Sequence, residues 1–491
     1  KMTDGTKANA DLFYTNNAPH KVDESELGAN YEELSDDVRD AHFDLIDTIE
    51  WIRAGGYKRI ALQFPDSLLP EAVPVSRRIE TSFEDVKVFI LADTSYRSCC
   101  VDEVAARHAS CDALVHYGDA CLSAPTQNIP VRYVLGQLPV DLTQFEKALS
   151  TIPPSNLPCF LLTDSSYAHL IDGLSSSSVS ALQTDVLPCR LSSRHRGRPN
   201  EGTEVDANEI RCLGRVLPDG FAEAEEAQLV FVGSQDSPLL PLWLLSHPHC
   251  SRILHYDPTT PDKCTINEPS SWRALRRRLF MVEKVRDAYT IGLVIGTVGV
   301  AGHREAVQRV RALAKADGKK VYVISVGKIN VAKLANFSAD VDCFVLLSCP
   351  FGVLLDTSSF DKPVVSLFEA EIALNKNKDW MAGKGWTSDY VEFVKDPTAR
   401  DASVSRNDDG DEDAAPDMSL VSGRVRVRVD REENAKEGDG VDTVALYTAG
   451  DYFAARSWRG LDDSTENGGD AETTAVGVGR KGRAACYENE P

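Results

Sequence analysis

No stretch of this 491-residue chain runs to 18 uninterrupted apolar residues, so none reads as a membrane-spanning helix. The opening residues, Lys1-Met2-Thr3-Asp4-Gly5, lack the basic and apolar regions of a secretory signal, and a cytosolic protein is expected. Positive charge is scarce: 53 Lys and Arg stand against 75 Asp and Glu, a net of −22. The imbalance is in the arms, since residues 1–50 hold thirteen acids to four bases and residues 401–491 hold twenty-one to eleven. The body between them is nearly neutral. Direct nucleic-acid binding, which needs a basic face, is therefore excluded, and acidic arms read as solvated, partly disordered chain. Also missing is any Cys-x-x-Cys pair, the usual mark of structural zinc. Twelve cysteines in a large cytosolic chain do not read as a disulfide framework, and most are expected to be small buried hydrophobes.

What is present is a repeated alternation of strand and helix. The runs Arg59–Phe64, Val86–Leu91, Ala113–Tyr117 and Val131–Leu135 read as buried strands, with helices from Pro65-Asp66 to about Ser82 and from Val101 to Ser110. An amphipathic helix from Asp44 to Ala54 precedes them. The order recurs in Ile291–Ile295, a helix Arg304–Ala316, Lys320–Ile324, a short helix Asn330–Phe337, Cys343–Leu347 and Pro363–Leu367. Cys111-Asp112-Ala113-Leu114-Val115 is echoed by Val341-Asp342-Cys343-Phe344-Val345. A weaker copy lies between, with strands at Cys159–Leu162, Asp185–Leu187, Leu229–Val232 and Ile253–Tyr256, interrupted by a polar stretch from Ser192 to Asn208. The expected fold is thus α/β, with three tandem related domains whose parallel sheets surround a shared centre, plus acidic disordered segments. The expected divisions are an acidic arm 1–44, domains 45–150, 151–275 and 276–395, and 396–491 as a disordered insertion and a tail packed back on the body. Val421–Val429, alternating Val and Arg, reads as an edge strand or nothing.

In open parallel sheets, functional groups collect beyond the carboxyl ends of the strands. Cys99 and Cys100 follow the second strand of the first unit, Cys121 follows its third, and Cys349 follows the third strand of the last unit. Cys111, Cys159 and Cys343 fall at strand starts or inside strands and read as core. Cys250, Cys264 and Cys486 sit in polar or terminal contexts without a partner pattern. Well-separated thiolates suit an iron–sulfur cluster better than one tetrahedral ion, but on spacing alone metal-free cysteines are an equally open reading. His116, close to Cys121, is a candidate ligand or proton donor, although a histidine satisfied by a local hydrogen bond is the plainer reading.

The same segments carry a family resemblance. Ala61-Leu62-Gln63-Phe64-Pro65-Asp66, Asp93-Thr94-Ser95-Tyr96 with Cys99-Cys100-Val101-Asp102, and His116-Tyr117-Gly118-Asp119-Ala120-Cys121-Leu122-Ser123 resemble the diphthamide biosynthesis protein 2 family, as do Arg456–Leu461 and Ala485–Glu488 near the end. The resemblance runs from about Asp44 to Pro491 and implies three related α/β domains. It implies a heterodimer with diphthamide biosynthesis protein 1, transferring a 3-amino-3-carboxypropyl group from S-adenosylmethionine to a histidine of elongation factor 2, with an electron-donor protein and no nucleic acid or membrane. It implies non-standard radical chemistry, and the Cys-x-x-x-Cys-x-x-Cys loop of ordinary radical enzymes is indeed missing here. Carried over by position, the [4Fe-4S] ligands fall on Cys100, Cys121 and Cys349. Spacing does not choose between Cys99 and Cys100; the resemblance favours Cys100.

Two departures bear on the role. The catalytic relative takes one ligand from each domain, whereas here two come from the first and the middle offers only the offset Cys212. In Gly296-Thr297-Val298-Gly299-Val300-Ala301-Gly302, apolar residues stand where the catalytic relative has polar ones, so this turn is poorly suited to S-adenosylmethionine. The expected role is an accessory cluster that passes electrons to the partner's cluster, with no catalytic residue assigned in this chain. The rivals are a transferase in its own right and a metal-free scaffold.

Overall fold

The computed structural model describes residues 36–91, 97–123, 129–192, 211–260, 264–267 and 271–375, together with 378, 380, 385–390, 394, 419 and 423. All of these belong to one compact unit, Lys1–Asp430. Most of the acidic arm, the polar stretch after Ser192, the Val421–Val429 alternation apart from Gly423, and the C-terminal tail with Cys486 lie outside the described residues.

Three sheets share one strand order. In the first, β1 (Arg59–Gln63) lies between β2 (Lys87–Ile90) and β3 (Ala113–Tyr117), and β4 (Val131–Val134) pairs with the far side of β3, all parallel. The middle sheet sets β5 (Cys159–Thr163) between β6 (Val186–Pro188) and β9 (Ala227–Val232), with β10 (Cys250–Tyr256) beyond β9. A small hairpin, β7 (Arg211–Cys212) and β8 (Arg215–Val216), is inserted after β6. Among the described residues, the middle sheet alone ends in an antiparallel strand, β11 (Cys264–Asn267), which the sequence pattern does not predict. In the last sheet, β12 (Thr290–Ile295) lies between β13 (Lys320–Ser325) and β14 (Cys343–Leu347), and β15 (Val364–Ser366) pairs with β14. Parallel strands covered by helices on both faces must be apolar throughout, and β3, β5, β9, β12 and β14 are buried at every position.

The sequence echo has a physical cause. Asp112 accepts hydrogen bonds from the backbone N–H groups of Lys58 (2.8 Å) and Arg59 (3.0 Å), at the start of β1. Asp342 does the same for Tyr289 (3.0 Å) and Thr290 (2.8 Å), at the start of β12. Each aspartate satisfies donors that the first strand would otherwise leave unpaired at its entry, and fixes the register of the third strand beside it.

Local chemistry sets the helices near the strand ends. Asp102 caps the helix Glu103–His108 by accepting from Ala105 N–H (2.9 Å). Ser366 and Glu369 form a reciprocal capping box on Leu367–Leu374, which is why β15 stops at Ser366 instead of running on to Leu367. The other oxygen of Glu369 accepts from the Trp386 indole (2.7 Å).

Candidate metal centre

Three loops build the centre. The first leaves β2 and is described from Arg97. Gln63, buried at the end of β1, clamps it: its Nε2 donates to Cys100 O (2.7 Å) and Ser98 O (3.3 Å), and its Oε1 accepts from Asp102 N–H (2.9 Å). Arg97 Nη1 reaches across to Phe351 O (2.7 Å), tying this loop to the one after β14.

The second loop leaves β3. Gly118 takes φ +86°, and a Cβ there would stand 2.9 Å from Pro65 Cγ, so only glycine turns the chain at that point. Cys121 N–H then donates to Cys99 O (3.1 Å), locking the first two loops together, and the following Leu122 is left-handed at φ +52°. The third loop leaves β14. Cys349 precedes a single 3₁₀ turn, Pro350–Gly352, closed by Gly352 N–H donating to Cys349 O (2.8 Å).

These loops bring four thiols together. The sulfurs of Cys99, Cys100, Cys121 and Cys349 all lie within 4.8 Å of one another, and Cys99 Sγ is 3.8 Å from Cys349 Sγ. Cys100, Cys121 and Cys349 are buried; Cys99 is half-buried, with its sulfur turned inward. Ser123 Oγ donates to Cys121 Sγ (3.3 Å), and Thr297 Oγ1 lies 3.8 Å from Cys100 Sγ. Hydrogen bonds from Cys100, Cys349 and Cys99 hold the Cys121 thiol well below its usual range. The bond to Cys121 leads the effects that push Cys100 well above it. A metal bound here would take the place of the thiol protons, because a thiolate, not a thiol, is the ligand.

Four sulfur donors with no carboxylate or imidazole among them are soft ligands, the chemistry of iron–sulfur clusters and of zinc. They fit a [4Fe-4S] cluster as its cysteine ligands. The turn after β12 closes against them: a Cβ on Gly299 would stand 2.5 Å from Val101 O, in the first cysteine loop.

The remaining candidates fall outside this group. Cys212, in the β7–β8 hairpin, is half-buried and packs on the same apolar core without joining the four. His116 is buried, with Nε2 3.3 Å from Asp119 O, and burial lowers its pKa. Cys111, Cys159 and Cys343 are buried apart from the centre. Cys250 is not in a polar context as its neighbours in sequence suggest; it is fully buried at the start of β10. Cys189, which no sequence pattern singles out, follows β6 and is buried too.

Sequence reasoning also misses Arg215. Its guanidinium is fully buried and donates to Leu213 O (2.8 Å) and Thr163 O (2.9 Å). It lies in the field of Asp164 and Asp119. Burial raises Asp164 to about 7 and Asp119 to about 6, with Arg215 opposing both shifts. No motif announces such a cation; only its neighbour Cys212 stands out in the sequence.

Comparison with known proteins now bears on the whole arrangement. Residues 64–386 match the family model for diphthamide synthesis proteins. The chain belongs to that family. A Caenorhabditis elegans member, 2-(3-amino-3-carboxypropyl)histidine synthase subunit 2, is 45% identical over 99% of this chain and 100% of its own length. The Homo sapiens protein of the same name is 33% identical, covering 92% of this chain and 94% of its own. Among solved structures, Dph2 from Pyrococcus horikoshii with a 4Fe-4S cluster superposes with a TM-score of 0.51 at 20% identity, over 71% of this chain and 93% of that one. That solved structure thus has the mixed α/β fold of parallel sheets seen here. Among the described residues, no helix is long and apolar enough to cross a membrane.

Proposed function

We propose that this chain is the accessory iron–sulfur subunit of a cytoplasmic 2-(3-amino-3-carboxypropyl)histidine synthase. It holds a [4Fe-4S] cluster on Cys100, Cys121 and Cys349 and keeps the catalytic cluster of its partner, diphthamide biosynthesis protein 1, reduced. The partner then cleaves S-adenosylmethionine and alkylates a histidine of elongation factor 2, drawing electrons through this chain from a donor protein. The observation that carries the reading is the pocket of buried thiols drawn from loops 250 residues apart, in a chain whose relatives are named as synthase subunits. When bound, the cluster supplies one-electron chemistry. The protein's own residues orient the thiols, through Gln63, Arg97 and the Cys121–Cys99 backbone bond, and shield them from water.

The apolar Val300-Ala301 in the β12 turn supports the relay over a transferase in its own right, because it offers S-adenosylmethionine no side-chain hydrogen bond. Anaerobic isolation of the heterodimer with iron and sulfide analysis tests the metal; a heterodimer in which this subunit holds no iron would make it a scaffold. The triple replacement of Cys100, Cys121 and Cys349 by alanine tests the role. Activity that survives with a strong chemical reductant supports electron delivery, and activity lost from an intact complex returns this chain to direct catalysis.

A further inference from the structure

The four-thiol pocket holds one sulfur more than the proposed ligand set uses. A cluster on three cysteines leaves one iron open to water or substrate. Here the adjacent Cys99 and Cys100 both turn their sulfurs into the pocket, although neighbouring side chains on an extended strand would point to opposite faces. The backbone between them is a turn, and its carbonyls are held in sequence. Ser98 O and Cys100 O are clamped by Gln63, and Cys99 O accepts from Cys121 N–H. Cys100 N–H donates to Arg97 O (3.2 Å), and Arg97 is anchored on Phe351 O. Cys99 is thus no stray thiol at the rim. Its loop is fixed at both ends so that its sulfur sits 3.8 Å from Cys349 Sγ and within 4.8 Å of the other two.

We infer that Cys99 is a fourth ligand, so that every iron of the cluster in this chain is capped by a protein thiolate. This rests on the proposed function, in that it takes the pocket to hold a [4Fe-4S] cluster, and it deepens that reading. A cluster with four cysteine ligands has no iron to which S-adenosylmethionine or a substrate could bind, and its remaining chemistry is to accept and release an electron. Cys99 is also the least buried of the four.

The test uses the full chain alone, reconstituted anaerobically with iron and sulfide, so that the partner's cluster does not contribute. Ferricyanide oxidation extracts an iron that lacks a protein ligand and leaves a [3Fe-4S] centre with its own electron paramagnetic resonance signal. The wild type is expected to keep its iron and show little of that signal. Cys99→Ala and Cys99→Ser are expected to bind nearly as much iron before oxidation, and then to convert to the three-iron form at least several-fold more readily. Added 2-mercaptoethanol, a thiolate for the vacated position, is expected to protect the alanine variant. Conversion of the wild type as readily as either variant would overturn the inference while leaving the cluster in place. Should the variants lose all their iron, the wild-type arm still decides. A wild-type chain that binds no iron would overturn the proposed function itself, an outcome separate from the other two.

Discussion

The outer sheets and the middle sheet share a strand order, yet they end their strands differently. Beyond β3 and β14 the chain places cysteines, Cys121 and Cys349. At the corresponding place beyond β9 it places Ser234 and Ser237, both bound to the Asp164 carboxylate, by Ser234 N–H (3.0 Å) and Ser237 Oγ (2.5 Å). Beyond β2 stand Cys99 and Cys100; beyond β6 stands Cys189, buried outside the thiol group. Where the outer sheets offer sulfur to a metal, the middle sheet offers buried charge: Asp164 and Arg215, with Asp119 of the first sheet beside them. One architecture thus serves two purposes, and the fold alone does not say which. The residues at the strand ends do.

That contrast can be broken most severely at its metal side. Replacing Cys121 or Cys349 by alanine is expected to abolish nearly all iron binding, while Cys189→Ala and Cys212→Ala leave it within about a tenth of wild type; iron and sulfide analysis of anaerobically prepared protein reads both. The charge side comes next. Arg215→Met leaves two buried carboxylates without their cation and is expected to cost about 3–5 kcal/mol, measured by denaturant unfolding. Gly299→Ala forces a methyl group against the Val101 carbonyl and is expected to cost about 1–3 kcal/mol, with a broadened cluster spectrum because the first cysteine loop must shift. A further break concerns pH dependence. Asp164, raised to about 7, holds a proton that the unfolded chain has released by then, so its contribution favours folding in acid. Stability is lost as pH rises from about 4 through about 7, at about 1.4 kcal/mol per pH unit across that window. Asp164→Asn is expected to flatten that slope in unfolding measured across the range.

Much of this is legible in the sequence because buried parallel strands leave a coarse signal. Runs such as Ala113–Tyr117 and Cys343–Leu347 are apolar on both faces, and the repeated Cys-Asp or Asp-Cys entry betrays the shared design. The placement of Cys99, Cys100, Cys121 and Cys349 beyond strand ends follows from the same topology. What stays hidden depends on contacts between distant segments. β11 is four residues long, and its place at a sheet edge comes from pairing with β10, a preference no local pattern carries. Arg215 reads as a surface cation until two carbonyls and two carboxylates are found around it. Nor does spacing choose between Cys99 and Cys100, because a turn held by Gln63 points both the same way, and linear spacing is blind to that.

The distance along the chain between Cys99 and Cys349 has a consequence for how the protein matures. Their sulfurs are 3.8 Å apart in space and 250 residues apart in sequence. A ribosome adding about 5–20 residues per second needs about 10–50 s to make the segment between them. Through that interval the early cysteines are already outside, with no third loop to complete their pocket. A site built from all three loops is therefore complete only once Cys349 has been made, and the earlier thiols must stay reduced until then.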